Sequence, residues 1–128
     1  MFAEMNLFAG KIIKWLRQHG ESEVGESECR HITLHDEPWE EFSAELQAWG
    51  DGNERLFVGY YFQQNDDLVP DPNIVLNLHE GKVVGGLIDT QFASLRLRDA
   101  DPDDLHYVEQ FLALVWNRHL KDRTGVPQ

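Results

Sequence analysis

The hydrophobic positions of this chain run first at a helical period, switch to a period of two, and return to the helical one at the end. From Met1 to His19, the residues Met5, Phe8, Ile12, Trp15, Leu16 and His19 fall on one arc at about 100° per residue. Lys11, Lys14, Arg17 and Gln18 lie opposite, and Gly20 supplies a stop. That spacing predicts an amphipathic helix. The polar run Glu21–Glu28 reads as an acidic loop within the domain.

From Arg30 the pattern alternates. His31–His35 places Ile32 and Leu34 on one face, and Phe42–Ala48 alternates as well. Trp39, Phe42, Leu46 and Trp49 also suit a helix begun by Pro38 and ended by Gly50. A strand is favoured because Gly50–Asn53 is a hairpin-type turn leading straight into the apolar run Leu56–Phe62. On a strand, Glu41, Glu45 and Gln47 project from one side. Gln63–Pro72 reads as a long turn whose two prolines cannot join a central ladder. Ile74–Leu78 is the next strand, Glu80–Lys82 a tight turn, and Val83–Asp89 a further strand in which Gly85 and Gly86 mark a bulge or bend. Leu95–Arg98 adds a last short strand.

The closing helix has the plainest signals. Asp101 is a good N-cap, Pro102 takes the first helical position, and Asp103 and Asp104 complement the positive helix terminus. Leu105, Val108, Leu112, Val115, Trp116 and His119 form its predicted buried arc. Together these readings predict one α+β domain over residues 1–128: an N-terminal helix, an antiparallel meander of four to six strands, and a C-terminal helix packed on the sheet.

Charge then sharpens the picture. Between Glu21 and Glu54 the sequence carries eleven carboxylates against one basic residue, Arg30, and this block accounts for most of the whole-chain net charge of −12. Such a field repels nucleic acid and anionic membrane and favours basic partners. A hydrophobic content of 41% with four tryptophans describes a packed domain rather than a disordered acidic tail. No apolar run approaches the roughly 20 residues of a membrane span. Lysines interrupt the apolar residues of the first segment instead of preceding them, so it does not read as a signal peptide. Cys29 is the only cysteine, which suits a reducing, bacterial-type cytoplasm.

Candidate chemistry is sparse. His31 and His35 share a strand face but stand roughly 13 Å apart at strand rise, too far to bind one metal ion. Cys29 and His31 lack a predicted oxyanion stabiliser, so a nucleophile is not read there. Asp66, Asp67 and Asp71 hint at a cation, yet the spacing lacks the alternating ligands and mid-loop glycine of a calcium hand. No glycine pattern opens a helix as a phosphate cradle, and no cofactor is implied.

The segment Leu56–Leu78 (LFVGYYFQQNDDLVPDPNIVLNL) resembles small uncharacterised bacterial domains, some carried on plasmids and phages. In these an aromatic strand ending in a Gln-Asn-Asp-like turn runs into Asp-Pro and a second strand. The matching positions are Tyr60, Gln64, Asn65, Asp67, Asp71 and Pro72, and the segment covers under a fifth of the chain. The resemblance implies a hairpin and brings no activity with it.

Two functions follow from these readings. The first is a non-enzymatic protein-binding module of inhibitor, immunity or DNA-mimic type. Its acidic segment (Glu37, Trp39, Glu40, Glu41, Glu45 and Trp49) engages a basic partner, with the tryptophans as anchors. The second is a small metal- or ligand-binding enzyme in which Tyr60, Gln64, Asp67 and Asp71 converge in a pocket between sheet and helix. Separately, Tyr107, Phe111 and Leu114 widen the apolar arc of the last helix, as a homodimer contact does.

Overall fold

Alternation of apolar and polar side chains builds one antiparallel sheet whose seven strands pair strictly in sequence order. The computed structural model describes residues 2–23, 28–35, 41–64, 67–90 and 92–123. A short 3₁₀ turn, Ala3–Met5, leads into α1 (Asn6–His19). The strands are β1 (Glu21–Glu23), β2 (Glu28–Leu34), β3 (Glu41–Gly50), β4 (Asn53–Gln64), β5 (Asp67–His79), β6 (Lys82–Asp89) and β7 (Ser94–Arg96). A 3₁₀ turn, Leu97–Asp99, precedes α2 (Pro102–Val115), which continues into a π-helical turn, Trp116–Leu120. No helix among the described residues is long and apolar enough to cross a membrane.

The α+β meander is as the sequence predicts, with seven strands rather than four to six. The extra strand comes from the acidic run after Gly20. Glu21, Ser22 and Glu23 pair with His31, Arg30 and Cys29 instead of forming a loop. Both edge strands, β1 and β7, are only three residues long, which limits the unpaired backbone offered to another chain.

The Trp39–Trp49 ambiguity resolves to strand over the described part. Every residue from Glu41 to Ala48 pairs with β4. The turn supplies the reason: Asp51 and Gly52 adopt φ of 53° and 78°, the two positive values a tight primed hairpin needs. Glu80 and Gly81 repeat the device between β5 and β6, at φ 51° and 80°.

The predicted long turn Gln63–Pro72 is corrected. β4 and β5 stay paired out to Gln64 opposite Asp67, and Pro70 lies opposite Tyr61. Proline is tolerated because the register slips between Gly59 and Tyr61, and a bulge has places where no ladder donor is needed. A second slip sets Asn77 opposite Gly85 and Leu78 opposite Val83, leaving Val84 as the extra residue.

One face of the sheet carries the core. Ile32, Leu34, Phe42, Ala44, Leu46, Leu56, Val58, Ile74, Leu76 and Leu78 are all buried there. Against them pack Met5, Ala9, Ile12, Ile13, Trp15 and Leu16 from the N-terminal segment, with Val108, Phe111, Leu112 and Val115 from α2. Phe111, expected on an outer flank, belongs to this core, edge-on to Tyr60 at 5.9 Å. Tyr107 and Leu114 remain exposed.

Both helix ends are built as their sequences imply. Asp101 accepts from the Asp104 amide at 2.9 Å, and the Asp104 side chain reaches back to the Asp101 amide, closing a capping box. Gly20 ends α1 in extended conformation, its amide bonded to the Leu16 carbonyl at 2.8 Å. A Cβ on Gly20 would stand 2.7 Å from that carbonyl oxygen, so the stop depends on the missing side chain rather than on a left-handed turn.

Candidate functional site on the uncovered side of the sheet

Period-two alternation sends the odd-numbered residues of β2, β3 and β4 away from both helices. Their cross-strand partners define rows on that second face. One row runs Thr33, Ser43, Gly59, Asn73, Asp89 and Ser94. The next runs His31, Glu45, Phe57, Val75, Leu87 and Arg96. The first row is small and polar. Beside it, Phe57, Val75 and Leu87 make a half-buried apolar stripe. Tyr61, opposite Glu41, borders the row on its other side.

Gly59 sits in the middle of the polar row and is buried. A Cβ there would sit 2.7 Å from the Pro72 carbonyl oxygen, 2.8 Å from Asn73 Cα and 2.9 Å from Asn73 Oδ1. The Asn73 side chain therefore leans over Gly59 and fills the space a side chain would take. Asn73 is only 9% exposed, and its Oδ1 has no hydrogen-bond partner among the described residues. A buried amide oxygen left unmade costs about 1–3 kcal/mol.

Three carboxylates act on the phenol of Tyr61. Burial, followed by the negative charges of Asp89, Glu45 and Glu41, raises the Tyr61 phenol above its ordinary 10.0. The hydroxyl thus feels acids from β3 on one side and β6 on the other. Asp89 accepts from Ser94 Oγ at 2.6 Å, and Glu45 accepts from Gln47 Nε2 at 2.9 Å. His35 Nε2 stands 3.3 Å from Glu41. Among the described residues no lysine or arginine lies within ion-pair distance of Glu41, Glu45 or Asp89.

The rest of the acidic block is deployed differently. Arg17 of α1 reaches over the hairpin end to pair with Glu54 and, at 3.6 Å, with Glu28. Arg30, on the same strand as Glu28, adds a second cation 3.8 Å from it, so the two acids face two arginines. Glu28 and Glu54 line a groove of about 670 Å³ together with Arg17, Trp49 and Glu80. Trp49 is half exposed on the same face as Tyr61, but at the opposite end. Arg55 lies 5.2 Å from its ring centroid and donates to Asn77 Oδ1 at 2.9 Å.

Of the residues singled out from sequence, Glu41 and Glu45 do share the uncovered face, and Trp49 lies on it several rows away. Glu37, Trp39 and Glu40 lie outside the described residues, as do the side chains of Gln64, Asp67 and Asp71. Tyr60 points into the core, where its hydroxyl and His119 Nε2 are 2.6 Å apart. Sequence reasoning missed Tyr61, Asn73 and Asp89. The parity of Leu56, Val58 and Tyr60 was the available signal, since it assigns Tyr60 to the core and Tyr61 to the other side. His31 and His35 each face a carboxylate, Glu21 at 3.8 Å and Glu41 at 3.3 Å. No known protein family, curated protein or solved structure matches the chain.

Proposed function

We propose that this chain is a non-enzymatic binding module whose uncovered sheet face receives a basic surface of a protein partner, in the manner of an inhibitor, immunity protein or DNA mimic. The supporting observation is the convergence of Glu41, Glu45 and Asp89 on Tyr61, with no lysine or arginine of the described chain paired to them. Acids without a paired cation attract an incoming positive group. The Phe57–Val75–Leu87 stripe beside them offers apolar area to the same partner.

The pairing of Glu28 and Glu54 with Arg17 and Arg30 narrows the reading. These two acids tie α1 to the hairpins. The reading rests on Glu41 and Glu45, joined by Asp89, around Tyr61.

Titration of the labelled protein with a hexalysine and a hexaarginine peptide, followed by NMR at low and high salt, tests this. Amide shifts should concentrate at Glu41–Glu45, Tyr61 and Asp89 and vanish at high salt. A Glu41→Lys/Glu45→Lys double variant should lose them. Shifts spread evenly over the molecule, or confined to the helical side, would overturn the reading.

A further inference from the structure

We propose that the last helix is a self-association surface, on which the exposed stripe Asp103, Tyr107, Leu114 and Arg118 packs antiparallel against the same stripe of a second copy of this chain. The surface belongs to the helical layer, so it stands or falls independently of the sheet face.

The stripe has an apolar centre. Tyr107 and Leu114 are 45% and 40% exposed, and their separation of seven residues, two helical turns, puts them on one side of α2. The Tyr107 ring is also held in place. It stacks on Phe111 of the core, with centroids 6.4 Å apart and planes 25° apart. A ring positioned before contact loses little rotamer freedom on docking. Gln110, exposed and uncharged, lies between the two.

Charge indicates what covers this stripe. The chain carries 23 carboxylates, yet between Asp104 and Asp122 the one acid is Glu109, which faces His106 at 3.5 Å. Two copies of net charge −12 repel one another, and this acid-poor helix is where they approach at least cost. Exposed charges of opposite sign bracket the apolar pair, with Asp103 one turn before Tyr107 and Arg118 one turn after Leu114.

Spacing sets the orientation. The steps from Asp103 to Tyr107, Leu114 and Arg118 are four, seven and four residues, so the stripe reads the same from either end. A two-fold contact has that property, because residue i meeting residue j requires j to meet i. Antiparallel pairing about the point between Gln110 and Phe111 sets Tyr107 against Leu114 of the second copy and Asp103 against its Arg118, twice over. Each positive helix start then lies near the negative end of the other helix. Parallel pairing would place like charges together at both ends.

The stripe is about 22 Å long at helical rise. One helix pair covers less than the roughly 800 Å² per partner of a standard interface, so a dissociation constant on the order of 100 µM is expected. Since α2 packs on the core side of the sheet, such a dimer leaves both uncovered faces outward.

Sedimentation equilibrium of the full chain from about 10 µM to about 1 mM provides the test. The parent should pass from monomer toward dimer across that range, and Leu114→Glu should weaken association at least about tenfold. Asp103→Lys and Arg118→Glu should each weaken it at least about fivefold. An equimolar mixture of these two should regain the parental strength, since the introduced lysine then meets the introduced glutamate while Asp103 meets Arg118. Circular dichroism melts establish that each variant is folded, and the exposed Leu114 keeps the test open if a charge variant is not. A parent still monomeric at the highest concentration, or a dimer indifferent to Leu114→Glu, overturns the proposal. So does a mixture of folded charge variants that associates no better than either alone.

Discussion

Tyr60 Oη and His119 Nε2 lie 2.6 Å apart in the core, joining the middle of β4 to the π-helical turn that ends the last helix. The imidazole also stacks on Phe42 of β3, with ring centroids 4.6 Å apart. One buried polar contact thereby fixes the last helical turn against two neighbouring strands. Its removal is expected to cost stability without touching the uncovered face. Tyr60→Phe deletes the hydroxyl and keeps the ring. Urea unfolding should show a loss of about 1–2 kcal/mol, with the slope of the transition unchanged. A variant as stable as the parent would mean that the contact contributes nothing net.

Much of the architecture was legible because each local signal agreed with its neighbours. Pro102 after Asp101 announced the last helix, and Gly50–Asn53 announced the hairpin that made Glu41–Gly50 a strand. The errors share one cause: they fall where pairing with a distant segment overrides local chemistry. Glu21–Glu23 is polar enough for a loop, yet β2 supplies a ladder for it. Pro72 should exclude a strand, yet it falls in the register slip between Gly59 and Tyr61. The candidate site was legible only in part for the same reason. Glu41 and Glu45 are four residues apart on one strand, and simple alternation unites them. Tyr61, Asn73 and Asp89 join them only through the register of three strands, which no local pattern encodes.

Two glycines provide a contrast in stability. Gly10 lies inside α1, and a methyl placed there meets nothing within 4 Å. Gly10→Ala should stabilise the protein by about 0.5–1 kcal/mol, because alanine loses less backbone entropy in a helix. Gly86 of β6 faces the Val75 carbonyl at closest approach, with Leu97 Cδ1 at 3.1 Å from the same would-be methyl. Gly86→Ala must push backbone aside and should lower the melting temperature by several degrees. Thermal melts of the two variants in parallel with the parent check both signs.

The capping box at α2 predicts a smaller and purely local effect. Asp101→Ala removes the acceptor for the Asp104 amide and leaves a helix N-terminus with one more free donor. The expected loss is about 1 kcal/mol, and Asp101→Asn should recover most of it. Since α2 packs on the opposite side of the sheet, neither change should alter peptide binding at Glu41, Tyr61 and Asp89. A binding defect in Asp101→Ala would place the interaction surface on the helical layer instead.

Tyr61 makes the charge on the uncovered face measurable. Its phenol is held protonated above the ordinary 10.0 by burial first and then by Asp89, Glu45 and Glu41. A folded value above the unfolded one means that the native state keeps a proton the unfolded chain releases. The resulting stabilisation is complete below pH about 10 and is lost as pH rises through the folded value. Ultraviolet difference titration should therefore show one tyrosine ionising late, and it should be missing in Tyr61→Phe. Asp89→Asn removes the largest of the three charges and should bring that late step back toward the ordinary range, with Glu41→Gln producing a smaller shift of the same sign. An unchanged late step in Asp89→Asn would mean that Asp89 does not act on Tyr61 from β6, and the acids of β3 and β6 would then share no field at this residue.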